Sequence, residues 1–153
     1  MTNVSVRLAT DSDSKNIFEW RNDELTRRMS HTSEIVELEQ HNNWYANSLV
    51  LESRTLLICE GDGGEKISVI RFDISQSNAV ISINLNPIQR GKGLAKTSLI
   101  KSIEFFSEHF SEVKRLVAEI KEENIASQKT FLDVGFEKYN LEDNVGFYEK
   151  TLV

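Results

Sequence analysis

The sequence predicts an α/β (α+β) fold, a mostly antiparallel mixed sheet of six to seven strands with four helices. An alternating apolar segment ends at Asn86 and runs into a segment with apolar residues at helical spacing. A second apolar run, at 116–120, is again followed by a helical pattern, at 124–135. Short apolar runs on both sides of residues 61–64 predict a hairpin. The 153 residues suffice for one domain, at 1–153.

The remaining elements follow in chain order. Residues 4–9 alternate like an edge strand, and Thr10 with Asp13 forms a capping-box pattern. The helix predicted after it carries apolar residues at Ile17, Trp20, Leu25 and Met29. A second helix is expected at 37–49, and the hairpin strands at 55–59 and 66–74. Within the second hairpin strand the apolar residues change from odd to even positions, which predicts a β-bulge near Val69. Two closing strands are expected at 136–140 and 145–152.

The turn between the fourth strand, at 79–86, and the third helix carries the clearest chemical signal. Gly91 and Gly93 lie where several backbone N–H groups converge at the positive end of a helix dipole. Such a point binds phosphate, and glycine lets the anion approach the backbone closely. The turn lacks the pattern of a P-loop and the third glycine of a dinucleotide fingerprint. Positive charge is added by Arg90, Lys92 and Lys96.

Composition narrows the classes of partner. A net charge of −6 argues against nucleic acid, because the basic residues concentrate locally at 90–96. The ligand of the turn is therefore expected to be a small anion. No apolar stretch approaches a membrane span, no signal peptide is recognised, and the lone Cys59 cannot form an internal disulfide. We expect a cytoplasmic protein that has no metal and no membrane or nucleic-acid partner, and a homodimer stays open.

Two segments together resemble motifs A and B of the GNAT superfamily of acyl-CoA-dependent N-acetyltransferases. The run Arg90-Gly-Lys-Gly93-Leu-Ala95 matches that superfamily's Arg/Gln-x-x-Gly-x-Gly/Ala pattern. The second motif is matched by Asn124-x-x-Ser127 followed by Gly135-Phe136. The resemblance implies a GNAT fold whose fourth and fifth strands splay to admit acetyl-CoA as cosubstrate.

The same resemblance assigns the cofactor contacts. The pantetheine arm is expected to pair with the fourth strand, while the pyrophosphate occupies the N–H cluster of the turn. The cofactor-binding residues that the resemblance implies are Ile83, Asn84, Leu85, Arg90, Gly91, Lys92, Gly93, Leu94, Ala95, Lys96, Asn124, Ser127 and Phe131. From the residues alone, Asn124 also suits a simple helix N-cap.

The catalytic residues depart from the common pattern. Many superfamily members place a tyrosine near the sulfur at the position of Phe131, and phenylalanine cannot protonate a thiolate. Branches similar to the ribosomal-protein acetyltransferases suggest Ser127 for this role, although its hydroxyl could equally satisfy helix backbone. Strand alternation makes Glu119 a candidate base, with a solvated surface carboxylate as the alternative. A further alternative uses no dedicated base, with ordered water near Ser82 or Asn84.

The N-terminal half points to the substrate. Segments at 18–23, 27–30, 40–44, 70–73 and 118–121 are similar to the branch that acetylates the 4-amino group of nucleotide-linked deoxy sugars, as in pseudaminic acid synthesis. An aromatic side chain beside cations suits a sugar linked to a diphosphate. The expected substrate-binding residues are Arg21, Asn22, His41, Trp44 and Arg71. Trp20 is expected in the core, and His31 could line the same cleft.

Three functions remain open at this stage. The first is acetyl transfer to a nucleotide-linked 4-amino-4,6-dideoxy sugar, for surface polysaccharide or nonulosonic acid synthesis. The second is a peptide or ribosomal-protein N-terminal acetyltransferase, which would want an acidic groove for a basic tail. The third is a non-catalytic module that binds acetyl-CoA, which the missing tyrosine suggests.

Overall fold

The computed structural model describes residues 3–152, so residues 1, 2 and 153 of the predicted domain lie outside the described part. The strands are β1 (Ser5–Leu8), β2 (Arg54–Glu60), β3 (Lys66–Ser75), β4 (Asn78–Leu85), β5 (Arg115–Lys121), β6 (Glu137–Glu142) and β7 (Val145–Thr151). The helices are α1 (Ser14–Arg21), α2 (Glu24–Met29), α3 (Leu38–Val50), α4 (Leu94–His109) and α5 (Ile125–Asp133). None of the helices in residues 3–152 is long and apolar enough to cross a membrane.

One seven-stranded sheet organises the chain, in the order β1-β2-β3-β4-β5-β7-β6. Neighbouring strands are antiparallel except β4 and β5, which are parallel. These two strands pair only at residues 78–80 with 115–117. Beyond these pairs they diverge, while β3 and β7 continue to bond their outer edges. A gap therefore opens between residues 81–85 and 118–121, which confirms the predicted splay.

Helices cover both faces of the sheet. On one face, α4 packs Leu99, Ile103 and Phe106 against the larger apolar core. On the other face, a smaller core joins α1 and α3 to β2 and β3. The buried members of this smaller core are Ile17, Trp20, Tyr45, Leu56, Ile58 and Val69. The expectation that Trp20 is a core residue is confirmed.

The phase slip in β3 has two causes. The register between β2 and β3 shifts where Cys59 opposes Ser68 but Glu60 opposes Lys66, so Ile67 is the extra residue. The bulge therefore lies at Ile67, and the prediction of a bulge near Val69 was wrong by two residues. Because β3 is buried on both faces, Val69 packs in the smaller core while its neighbour Ile70 packs in the larger one.

The helix predicted to continue past Arg21 is interrupted. Asp23 adopts ψ 136° and its side chain accepts a hydrogen bond from the N–H of Thr26 at 3.1 Å, so it is the N-cap of a new helix. The chain thus forms five helices in the described residues, where four were predicted. Leu25, expected on the apolar face, is 43% exposed on α2.

A buried carboxylate anchors the start of α1. Asp13 is 0% exposed and accepts hydrogen bonds from Arg7 at 2.8 and 2.9 Å and from the N–H of Thr10 at 2.8 Å. The Nζ atom of Lys66 lies 2.8 Å from the same carboxylate. Burial opposes ionisation, but the bonds from Arg7, Lys66 and Thr10 outweigh it and hold the pKa of Asp13 well below its usual range. This residue ties α1 to β1 and β3.

Replacing this carboxylate is expected to lower the free energy of unfolding. Asp13→Asn leaves Arg7 and Lys66 without their shared counter-charge, which we expect to cost about 3 kcal/mol at pH 7. Because the folded pKa is depressed, this contribution is fully present above the unfolded pKa of about 4 and is lost progressively as the pH falls from there through the folded pKa. Urea denaturation at pH 7 and pH 3 measures both effects.

The exposed neighbour Asp11 provides the matched control. Asp11→Asn is expected to leave the urea midpoint unchanged at both pH values. Equal stability of Asp13→Asn and wild type at pH 7 would contradict the anchoring role.

Candidate active site

The turn before α4 is built to receive an anion. Gly91 and Gly93 have φ of 75° and 72°, a region that side chains with a Cβ rarely adopt. Gly93 is the N-cap of α4, whose first-turn N–H groups have no partner within the helix. A Cβ built at either glycine would meet no atom within 4 Å, so the space in front of these amides is open. The turn therefore fits the pyrophosphate of a coenzyme A.

Arg90 is used differently from the expectation. Its backbone N–H donates to Pro87 O at 3.3 Å, and its guanidinium forms an ion pair with Asp23 and a 3.1 Å hydrogen bond to Thr26 Oγ1. The predicted contact of Arg90 with the pyrophosphate stays a prediction, but the N–H cluster of the turn begins after Arg90, and its guanidinium is held within the protein. The physical reason is that the N-cap carboxylate of α2 folds against the turn. Lys92 is exposed and bonds Gln89 at 3.3 Å.

The second motif adopts the predicted local structure. Asn124 accepts a hydrogen bond from the N–H of Ser127 at 3.2 Å and is the N-cap of α5. Gly135, at φ 105°, follows the end of the helix as expected. Phe131 is 3% exposed and packs edge-on against Phe136, with ring centroids 5.0 Å apart. The position of the usual tyrosine is thus part of the apolar core.

On the opposite face of the sheet, three arginines surround one tryptophan. The Cζ atoms of Arg21, Arg54 and Arg71 lie 4.7, 5.5 and 5.9 Å from the ring centroid of Trp44. We call Arg21, Arg54 and Arg71 the arginine cluster. Arg71 pairs in register with Ser82 on β4, so the cluster adjoins the strand that borders the gap. Cations over an aromatic face are attracted to it.

The arginine cluster carries more positive charge than its surroundings neutralise. Within residues 3–152, the carboxylate of Asp73 pairs with Arg54 at 2.6 Å and with Arg71 at 3.1 Å. The Nε of Arg71 is buried, and Asp73 lies outside hydrogen-bonding geometry to it, so this contact is electrostatic. Burial, then the charge of Arg71, lowers the pKa of Arg21. An anion placed here would relieve the repulsion.

His41 is buried beside Arg21 of the arginine cluster. It is 0% exposed, so direct contact with a substrate, as predicted for it, is not compatible with the structure. Arg21 can only donate to its Nδ1, 3.3 Å away, which places the ring proton on Nε2, 3.1 Å from the carbonyl oxygen of Ser14. Burial and then the charge of Arg21 lower the pKa of His41, which favours this neutral form. His41 therefore positions Arg21.

Asn22 is also occupied by the protein. Its side-chain amide exchanges two hydrogen bonds of 2.8 Å with the backbone of Val36. These bonds hold the loop that leads into α3, so the predicted substrate contact gives way to a structural role. Trp44, by contrast, is half-buried and stays accessible beside the cluster.

Glu119 faces the side of the gap away from α4. Its neighbours Ala118 and Ile120 belong to the larger core, so alternation places the carboxylate on the other face, as predicted. One of its oxygens lies 3.3 Å from Nε2 of His31, which follows α2. His31 thus lies beside Glu119, and its place in the substrate cleft stays a prediction.

The sequence pattern did not identify two residues of this region, Arg54 and Asp23. Arg54 directly precedes the strand predicted at 55–59 and carried no local signal, because its proximity to Trp44 depends on tertiary packing. Asp23 had a local signal, since Asp at 23 with Thr at 26 is an N-cap pattern that would have ended the preceding helix. Residues 3–152 contain no group of three or more His, Cys, Asp or Glu side chains that could hold a metal.

The comparisons with known proteins agree with this geometry. A model of the acetyltransferase (GNAT) domain matches residues 3–137, so the chain belongs to the GNAT family. It is an acetyl-CoA-dependent N-acetyltransferase, which favours the catalytic functions over the non-catalytic module. No curated protein sequence matches the chain.

Several solved structures share the fold. A domain from Methanocaldococcus jannaschii is 23% identical, with a TM-score of 0.86 over 99% of this chain and 100% of that one. Spermidine N-acetyltransferase from Vibrio cholerae, in complex with CoA and spermine, is 14% identical, with a TM-score of 0.87 over 97% and 95%. Aminoglycoside acetyltransferase AAC(6')-Ib, in complex with coenzyme A, is 20% identical, with a TM-score of 0.82 over 97% and 95%.

Adding a Cβ at Gly93 is expected to weaken CoA binding. Gly93→Ala strains the backbone by about 1 kcal/mol and turns the first amides of α4 away, so we expect about tenfold weaker affinity. Isothermal titration with CoA measures the affinity, and thermal denaturation measures the strain. Gly64, at φ 81° with no atom within 4 Å of its Cβ position, is the matched control. Gly64→Ala should lose similar stability but bind CoA normally, and equal affinities of the two variants would contradict the assignment.

Proposed function

We propose that this enzyme transfers acetyl from acetyl-CoA to the amine of a nucleotide-linked 4-amino-4,6-dideoxy sugar. The observation that carries the proposal is the arginine cluster, which borders the gap beside a half-buried Trp44. Three guanidiniums with one paired carboxylate suit the diphosphate of a sugar nucleotide. The tryptophan ring could cover the sugar or the base.

The same charge disfavours other amines. Spermine and aminoglycosides, which the related structures bind, are polycations that the cluster would repel. A basic peptide tail would meet the same repulsion, which ranks the peptide acetyltransferase second. The resemblance of residues 18–23 and 40–44 to the sugar-nucleotide branch supports the same choice.

The two sides of the gap differ in charge, and this would orient the acceptor. Arg71 lies on β3, while Glu119 lies on β5, two strands away and across the divergence. Two paired-strand spacings would be roughly 10 Å, and the divergence of β4 from β5 makes the separation of their backbones at Glu119 larger. An acceptor whose anionic group and amine are separated by about one sugar ring can contact both Arg71 and Glu119. The carboxylate and amine of an α-amino acid are too close together to do so.

Acetyl transfer requires that the attacking amine lose a proton and that the leaving thiolate gain one. Bound acetyl-CoA supplies the thioester whose acetyl group is transferred. Glu119 is the proposed acceptor of the amine proton, with His31 steadying its carboxylate at 3.3 Å. Ser127, in the first turn of α5, is the proposed hydrogen-bond donor to the leaving sulfur, because Phe131 cannot donate. Open backbone amides along β4 are the proposed donors to the carbonyl oxygen.

Removing each catalytic group should affect turnover without weakening CoA binding. We expect Ser127→Ala and Glu119→Gln each to lower kcat about tenfold or more. Steady-state kinetics and CoA titration measure these effects.

Thr130→Val is the control on the same helix, because the Thr130 hydroxyl bonds only the Ala126 carbonyl at 2.9 Å. Wild-type turnover of Ser127→Ala would remove its assignment. Wild-type turnover of Glu119→Gln would favour a water route through Ser82 or Asn84.

The substrate proposal is tested by mass spectrometry and competition. Amino-sugar nucleotides incubated with acetyl-CoA should give a 4-N-acetyl product, and uridine diphosphate sugars should inhibit competitively while spermine should not. Arg71→Gln is expected to raise the acceptor KM roughly 10- to 100-fold, because it removes a charge-assisted hydrogen bond.

Arg115→Gln is the matched control, since Arg115 pairs with Glu149 at 2.7 Å, away from the arginine cluster. Acetylation of peptides or polyamines that sugar nucleotides fail to inhibit would overturn the proposal.

A further inference from the structure

We infer that Arg90 and Asp23 form a positioning pair that holds α2 across the gap, so that Arg90 serves the acceptor side of the reaction rather than the pyrophosphate. The inference depends on the family reaction and not on which amine is the acceptor. It concerns two residues that neither the family match nor the similar structures assign.

One carboxylate joins α2 to the turn at 90–93, which precedes α4 and is called the cofactor turn here. Asp23 accepts from Arg90 Nη2 and, as N-cap, from the N–H and hydroxyl of Thr26 at 3.1 and 3.2 Å. Arg90 also donates to Thr26 Oγ1 at 3.1 Å. The side chains of Arg90 and Asp23 are 35% and 23% exposed, so water only partly screens the pair. Burial opposes ionisation, but Arg90 and Thr26 outweigh it and lower the pKa of Asp23.

The other end of α2 is fixed to β5. Lys121 Nζ donates to the carbonyl oxygen of Arg28 at 3.0 Å, and His31 lies 3.3 Å from Glu119. Since α2 has no buried residue, polar contacts at its two ends provide most of its attachment. The helix therefore spans from the turn after β4 to the end of β5, which are the two sides of the gap.

The Arg90–Asp23 pair also fixes the position of Arg21, which is the first residue of the arginine cluster along the chain. Arg21 and Asn22 directly precede Asp23, and the bonds of Asn22 to Val36 make this turn stiff. Displacing Asp23 would thus move Arg21 relative to Trp44. Through this path, Arg90 in the cofactor turn positions a residue of the acceptor face.

The experiment uses Asp23→Asn and Arg90→Gln. Asparagine caps helices as well as aspartate does, so the first variant removes the charge and keeps the N-cap. We expect hydrogen exchange of the amides at 24–30 to become about tenfold faster in both variants. CoA affinity by calorimetry should change less than about threefold, because Arg90 does not touch the pyrophosphate. The KM of an accepted amine should rise with little change in kcat, and the double variant should add nothing further.

Two controls separate the alternatives. Lys92→Gln, in the same turn, should weaken CoA without changing exchange in α2, and Glu149→Gln, which breaks an exposed ion pair elsewhere, should change neither. The inference is overturned if Arg90→Gln weakens CoA about tenfold or more while Asp23→Asn leaves exchange unchanged. It is equally overturned if both variants leave exchange in α2 unchanged. The exchange and CoA measurements need no acceptor, so they test the positioning pair even if the acceptor is not a sugar nucleotide.

Discussion

The divergence of β4 from β5 after three residue pairs is the constraint on which the active site depends. Each strand keeps a full antiparallel partner on its outer edge, so the sheet stays continuous through the opening. The inner edges then present backbone N–H and C=O groups that no strand satisfies, which is a binding surface for another extended chain. The same divergence places the N-terminus of α4 beside the gap. The proposed cofactor site therefore depends on main-chain geometry more than on particular side chains.

The two faces of the sheet differ in composition and in role. The larger core under α4 is apolar and fixes the cofactor turn, whereas the other face combines a small core with the arginine cluster. β3 belongs to both, because Ile70 and Phe72 pack under α4 while Arg71 and Asp73 face α1 and α3. Arg71, which is proposed to bind the acceptor, is thus held by a strand whose other face packs in the larger core. His41, buried and neutral, adds support under Arg21 without adding charge.

Local patterns were reliable wherever a short segment decides its own structure. The strand, glycine turn and helix at 79–110, the Asn124 cap and the Gly135 stop all formed as predicted. Errors arose where two signals competed. The hydrophobic spacing continued through residue 23, but the capping of Thr26 by Asp23 ended the helix. In β3, burial on both faces removed the alternation that would have located the bulge at Ile67.

The sequence by itself determined the family, the cofactor turn and most elements, because these follow from spacing, glycine conformation and capping within a few residues of each other. Only the tertiary structure decided how the charged side chains are used. It paired Arg90 with Asp23, placed Arg54 and Arg71 with Arg21 around Trp44, and buried His41. Long side chains contact partners that are close in space, and those partners lie from 10 to 67 residues away along the chain.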